Sequence, residues 1–113
     1  MTNDDIQALV ARWKEKLNLH RWHIMVYIDN NMPSHGVTQA QWQYLSAKIH
    51  LNPVLTEADG YAIEEIVVHE LVHVLLSALW LEDAELTDHE VALHERTTEE
   101  VSVLLLDIVG SLK

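Results

Sequence analysis

Two histidines and a glutamate interrupt the longest apolar segment of this 113-residue chain. The segment runs from Ile66 to Leu81, and the residues that interrupt it are His69, Glu70 and His73. At sixteen residues it is shorter than the roughly 20 residues that a membrane span needs, so it predicts a buried helix. Removing imidazole and carboxylate groups from water is costly unless something polar binds them. The fold must therefore give these three side chains a polar partner.

The spacing of the three polar residues is that of a metal site on a helix. His69 and His73 are four residues apart, so their imidazoles lie one above the other on one helix face and can clamp one ion. Glu70 lies about 100° around the helix, where its carboxylate can reach a water molecule activated by the metal. This pattern is typical of zinc metallopeptidases, with two histidine ligands and a glutamate base. We predict one zinc ion per chain at His69 and His73, with Glu70 catalytic; the alternative is a hydrogen-bonded cluster.

A catalytic zinc ion usually has three protein ligands and one open position, so a third ligand is expected further along the chain. The metzincin pattern fails because Leu79 occupies the position of its third histidine. Glu95 and Glu99 are four residues apart and share one helix face. We assign Glu95 as the ligand and Glu99 as the acceptor of the free N–H of His69. The alternatives are the reverse assignment of the two glutamates and a histidine ligand, either His89 or His94.

The remaining sequence predicts helices around a small sheet. Apolar residues recur at intervals of three and four through residues 4–17, which predicts an amphipathic helix. Segments rich in β-forming residues predict three strands, at 22–28, 37–41 and 44–51. The stretch 30–36 contains a proline and a glycine and is predicted to be a loop.

Two further helices are expected after the sheet. The first spans residues 61–79 and carries the His-Glu-His motif, and a loop over 80–86 separates it from a helix over 88–109. Thr87 and Glu90 have the spacing of a capping box and should begin this last helix. The order α-β-β-β-α-α is that of an α+β fold.

Composition narrows the classes of partner and compartment. The 18 acidic and 7 basic residues give a net charge of −11, which disfavours binding to nucleic acid. The absence of cysteine excludes disulfides and thiolate metal ligands, and fits a reducing compartment. The acidic start, Met-Thr-Asn-Asp-Asp, lacks the basic and apolar regions of a signal peptide. We expect a cytoplasmic protein that binds neither nucleic acid nor membranes.

The two motif-bearing segments together resemble the gluzincin clan of zinc metallopeptidases. They are the segments His69–His73, with the sequence His-Glu-Leu-Val-His, and His94–Glu99, with the sequence His-Glu-Arg-Thr-Thr-Glu. In that clan a glutamate on a later helix is the third ligand, and an acidic residue four positions on orients a histidine. The resemblance implies these roles for Glu95 and Glu99. The match departs at His94, where larger gluzincins typically have asparagine.

The chain length and the predicted order of elements resemble those of the minigluzincins, minimal single-domain zincins of bacteria, archaea and phages. The resemblance implies one domain over residues 1–113, with an N-terminal helix, a three-stranded sheet, an active-site helix and a glutamate-bearing helix. Its specific motifs lie within residues 61–105. It further implies hydrolysis of peptide bonds in a peptide or protein substrate, with Glu70 as general base. The strand 44–51 is a candidate rim for a cleft that binds an extended substrate.

Other features of the site stay open in the sequence. A non-catalytic zinc domain with a structural or partner-sensing role is the main alternative, although Glu70 favours an enzyme because a structural site needs no base. The SprT-like proteases, which use a third histidine, are a further alternative. Self-association would cover a shallow cleft. Five residues are candidates for stabilising the transition state: Tyr44, His50, Tyr61, His89 and His94.

Overall fold

The computed structural model describes residues 2–77 and 87–111 and has the predicted mixed α+β fold. The predicted loop over 80–86 lies outside the described residues. The helices are α1 (Asn3–Lys16), α2 (Pro53–Ala58), α3 (Ile63–Leu76) and α4 (Asp88–Ser111), and the strands are β1 (His23–Ile28), β2 (Gly36–Gln41) and β3 (Ser46–Leu51), with one 3-10 turn at Trp42–Tyr44.

The three strands form one sheet in the order β1-β3-β2, with β1 parallel and β2 antiparallel to β3. The prediction that residues 44–51 form a cleft rim is therefore wrong, because β3 is the central strand and both of its edges are paired. The strand also begins later than predicted, at Ser46, because Tyr44 belongs to the 3-10 turn. Within the described residues, β2 has an unpaired edge and packs against α3.

The α3 helix lies at the centre of the fold, where it contacts α1, β2 and α4. Its residues Val67, Val68, Leu71, Val72 and Val74 are almost completely buried. A helix that is apolar on most of its surface must be covered on most sides. The motif therefore sits in a rigid, well-packed element, and its orientation is set by three neighbouring elements.

A carboxylate contact fixes α1 against α3. The indole Nε1 of Trp13 donates to Oε2 of Glu64 over 2.9 Å, and Nη2 of Arg12 donates to the same oxygen over 3.1 Å. Trp13 is also one of the largest fully buried side chains. This contact anchors the first turn of α3, which begins two residues later than the predicted start at residue 61.

The helices α2 and α4 differ in how well the sequence predicted them. Asn52 and Pro53 begin the unpredicted α2, since Asn52 Oδ1 accepts from the backbone N–H of Leu55 over 3.0 Å and proline suits the first helical position. The predicted capping box of α4 is confirmed: the Glu90 N–H donates to Thr87 Oγ1 over 3.1 Å.

Among the described residues, no helix has an 18-residue stretch apolar enough to cross a bilayer.

Candidate metal centre

The α3 helix brings His69, Glu70 and His73 together, as their spacing predicts. One potential ligand atom from each of the three residues lies within 4.8 Å of the others. The two imidazole rings are 4.9 Å apart between centroids and meet edge to face at 76°. One turn of helix thus presents two imidazoles and a carboxylate to the same point.

A glutamate of α4 meets both imidazoles at the same edge. The distance from Glu95 Oε2 to His69 Nε2 is 3.5 Å, and from Glu95 Oε1 to His73 Nε2 it is 3.3 Å. The Nε2 atoms of the two histidines therefore converge on one carboxylate. The donor set of two imidazole nitrogens and one carboxylate oxygen is that of a catalytic zinc site.

The other nitrogen of each ring is also contacted from α4. The distance from His69 Nδ1 to Glu99 Oε2 is 2.9 Å, and from His73 Nδ1 to His94 Nε2 it is 3.4 Å. A ligating histidine usually donates its second N–H to a carboxylate, carbonyl or water, which fixes its tautomer and orientation. Glu99 and His94 thus contact the Nδ1 side of the two rings, while Glu95 contacts the Nε2 side.

Two small buried residues lie on either side of Glu99 along α4. Thr98 and Ser102 are buried, and their hydroxyls donate back to the carbonyls of His94 and Thr98 over 2.9 and 2.7 Å. Because these hydroxyls are satisfied within α4, they need no partner from α3. Their small size lets the two helices pack closely at the level of the histidines.

Glu70 is buried beneath β2, with only 3% of its surface exposed. Thr38 Oγ1 of β2 donates to the backbone carbonyl of Glu70 over 3.2 Å. Among the described residues, Glu70 Oε2 is the one buried side-chain polar atom without a hydrogen-bond partner. A buried acceptor without a partner is costly, and a metal-associated water is a chemical partner that would satisfy it.

Burial shifts the protonation of the central groups. Desolvation, and then the negative charge of Glu95, raise the pKa of Glu70 from 4.5 to about 8. Desolvation lowers the pKa of His73 from 6.5 to about 4, with His69 and His94 adding to the shift and Glu95 opposing it. At neutral pH His73 is therefore the neutral imidazole that a metal requires.

These shifts predict how the stability of the metal-free protein depends on pH. Between pH 4.5 and 8 the folded state holds a proton on Glu70 that the unfolded chain has released, so stability falls as pH rises. His73 has the opposite effect between pH 4 and 6.5, because only the unfolded chain is protonated there. Burial also lowers the pKa of His94, which acts in the same direction as His73. Above pH 6.5 the effect of both histidines fades, because the unfolded chain loses these protons too.

We therefore expect the melting temperature of chelator-treated protein to fall from pH 6.5 to 8. Glu70→Gln should remove most of this fall, because glutamine does not titrate. Thermal melts of both proteins over this range measure the difference. The same fall in the variant would show that another group binds the proton.

A cleft of about 870 Å³ lies in front of the cluster, between β2, α3 and α4. It extends from His73 and His94 past Glu70 to Ser34 and Tyr61. No lysine or arginine lines the part of the cleft that the structure describes. The candidate metal ligands are thus open to a molecule as large as a short peptide segment.

Only some of the residues predicted to stabilise the transition state line the cleft. Tyr61 and His94 line it, whereas Tyr44 is 78% exposed in the 3-10 turn. His50 stacks on Tyr27 at 5.0 Å and His89 is exposed at the beginning of α4; neither lies among the residues that line the cleft.

The cleft also contains residues that the sequence did not single out for a role in the site. His35 is one, with Nε2 at 2.6 Å from Asp59 Oδ2 and its ring 5.2 Å from that of Tyr61. Gly36 and Thr38 of β2 are two more, and both lie against Glu70. No local motif marks these residues, because their importance comes from the packing of β2 on α3.

Comparison with known proteins adds no relative to this picture. No family model matches the chain, and neither a curated protein nor a solved structure is significantly similar to it. The function is therefore inferred from the geometry of the site.

Proposed function

We propose that the protein is a zinc-dependent metallopeptidase that hydrolyses peptide bonds. The observation that carries the proposal is the convergence of two imidazoles and two carboxylates at one place. The Nε2 atoms of His69 and His73 lie 3.5 and 3.3 Å from the carboxylate of Glu95. Glu70 lies beside the two histidines, and its buried Oε2 has no hydrogen-bond partner among the described residues. A structural zinc site is closed by its ligands and needs no further base, whereas a catalytic site keeps a position open.

In this proposal His69, His73 and Glu95 hold one zinc ion per chain. When bound, zinc lowers the pKa of a water molecule and polarises the carbonyl of the substrate. Contacts at Nδ1 of both histidines leave Nε2 as the nitrogen that would bind the ion. Glu99 accepts the Nδ1 proton of His69, and His94 is the corresponding neighbour of His73. Both supports come from α4, the helix that also carries the third ligand.

Glu70 acts as the general base and then as the general acid. Its carboxylate takes a proton from the attacking water as the new C–O bond forms at the scissile carbonyl. It passes that proton to the nitrogen of the leaving amine as the C–N bond breaks. Burial raises the pKa of Glu70 in the metal-free protein, and the positive charge of a bound zinc ion would oppose this shift. The two effects together favour a carboxylate that is ionised yet basic enough to take a proton near neutral pH.

In the part of the chain that the structure describes, one edge of β2 is unpaired, and it gives a peptide substrate a backbone to pair with. An extended peptide can add to such an edge through main-chain hydrogen bonds. Gly36, Thr38 and Gln39 of β2 line the cleft beside Glu70, so a strand added there would carry its peptide bonds past the base. In this proposal β2, rather than residues 44–51, forms the rim of the cleft that binds an extended substrate. Tyr61 and His94, which line the same cleft, remain the candidates for stabilising charge on the substrate carbonyl.

The proposal is tested by measuring metal content and hydrolysis on the same preparation. Protein purified without chelators should contain about one zinc ion per chain by elemental analysis. It should cleave members of a broad peptide library, and a chelator should stop the cleavage until zinc is restored. Protein without any bound transition metal would refute the metal site. Protein that holds zinc and cleaves nothing would instead favour a non-catalytic zinc domain.

A further inference from the structure

The carboxylate of Glu70 lies directly beneath the first residue of β2. A Cβ atom added to Gly36 would lie 2.9 Å from Glu70 Cγ and 3.0 Å from Glu70 Cδ. It would also lie 3.2 Å from Cγ2 of Ile66, one turn earlier on α3. A contact below 3.0 Å is one that real Cβ atoms essentially never show. The absence of a side chain at Gly36 therefore makes the space that the Glu70 side chain fills.

The backbone conformation does not explain this glycine. Gly60 is the described glycine with a left-handed backbone, at φ +84°, and a Cβ there would meet nothing within 4 Å. Gly36 has the opposite properties, since its φ is not left-handed and its surroundings are full. The two glycines thus separate a requirement for space from a requirement for conformation.

Neither side of this contact can move away easily. Glu70 is 3% exposed and belongs to the most buried helix of the fold. On the other side, β2 is held to β3 by the register that pairs Gly36 with Leu51. It is also held to α3 by the hydrogen bond from Thr38 to the Glu70 carbonyl. An added methyl group must therefore displace the carboxylate or lift the start of β2.

We propose that Gly36 is a positioning residue for Glu70. By bringing the bare backbone of β2 onto the side chain, it keeps the carboxylate on the side of α3 that His69 and His73 share. Gly36 itself touches no reacting atom, and it acts only through Glu70. The consequence for catalysis rests on the proposed function, whereas the steric contact does not depend on it.

The first test is the activity of Gly36→Ala beside Gly60→Ala. Displacing a catalytic group by about 1 Å can cost up to about 100-fold in rate, so kcat of Gly36→Ala should fall by about 10- to 100-fold. Its zinc content should stay near one per chain, because none of the ligands is touched. Gly60→Ala should lose thermal stability through its backbone strain and keep its kcat. A Gly36→Ala protein with bound zinc and unchanged kcat would overturn the proposal.

The second test needs no activity and uses metal-free protein. Gly36→Ala should lower the melting temperature by about 5 °C or more, as overpacking of a filled site does. In a Glu70→Ala background the same change should cost far less, because Cγ and Cδ are gone. Gly60→Ala should cost the same in both backgrounds, because a Cβ there would meet nothing within 4 Å.

The two tests separate the failure of this inference from the failure of the proposed function. The wild-type protein could hydrolyse no peptide while the melts still show that Gly36 and Glu70 are coupled. In that case the steric contact is confirmed and the proposed peptidase function is wrong. If Gly36→Ala costs equally in both backgrounds, the positioning role is wrong. Should Gly36→Ala not fold, the double variant with Glu70→Ala must fold, and its failure would also overturn the proposal.

Discussion

Glu70→Gln is expected to lower peptide hydrolysis by at least about 100-fold, the usual scale for losing a general base. Zinc should stay near one per chain, because the three expected ligands are His69, His73 and Glu95. Glutamine has nearly the shape of glutamate, so the packing beneath β2 is kept, but its amide cannot take a proton from water. Hydrolysis rates and elemental analysis on the same preparation measure the two effects together.

Glu65→Gln is the matched control for this substitution. Glu65 lies on the same helix, lines the same cleft and is exposed, so its substitution also removes one negative charge from this region. Its kcat should stay within about threefold of wild type if proton transfer by Glu70, rather than the general field of the cleft, carries the rate.

Two results with Glu70→Gln would change the assignment. Loss of zinc would make Glu70 a ligand, which its position within 4.8 Å of the two histidines would accommodate. Unchanged hydrolysis with zinc retained would assign proton transfer to another group in the cleft, with Tyr61 and His94 as the candidates.

The features that could be predicted from the sequence are those that helix geometry decides locally. His69 and His73 meet because a helix brings residues four apart onto one face. The same periodicity indicates that Glu95 and Glu99 share a face of α4. The capping box at Thr87 uses a contact over three residues. Each of these depends on a few consecutive residues, so one sequence suffices.

The features that could not be predicted depend on contacts between distant segments. The alternation through residues 44–51 indicates a strand but says nothing about its neighbours, and β3 proved to be central rather than at the edge. The value of Gly36 appears only when β2 packs on Glu70, 34 positions further along the chain. His35, which lines the cleft, contacts Asp59, a residue 24 positions further along the chain.

The three glutamates of α4 have different contacts, so replacing each with glutamine should lower zinc affinity to a different degree. Glu95→Gln should have the largest effect, more than about 100-fold, since Glu95 is the carboxylate that faces both Nε2 atoms. Glu99→Gln should weaken binding by about 10- to 100-fold, the range typical for groups that orient a ligating histidine. Glu100→Gln should have almost no effect, because Glu100 pairs with Arg96 over 2.8 Å on the exposed side of α4.

The same series should appear in thermal stability, because a zinc ion bound by His69, His73 and Glu95 would join α3 to α4. A ligand that binds only the folded state stabilises it by about 4 kcal/mol at a concentration 1,000 times its dissociation constant. Removing zinc should therefore lower the melting temperature of the wild type and of Glu100→Gln equally. Metal-free Glu95→Gln should gain little from added zinc. If Glu99→Gln were to lose zinc while Glu95→Gln kept it, the two roles would be reversed; equal melts with and without zinc in the wild type would mean that no ion links the two helices.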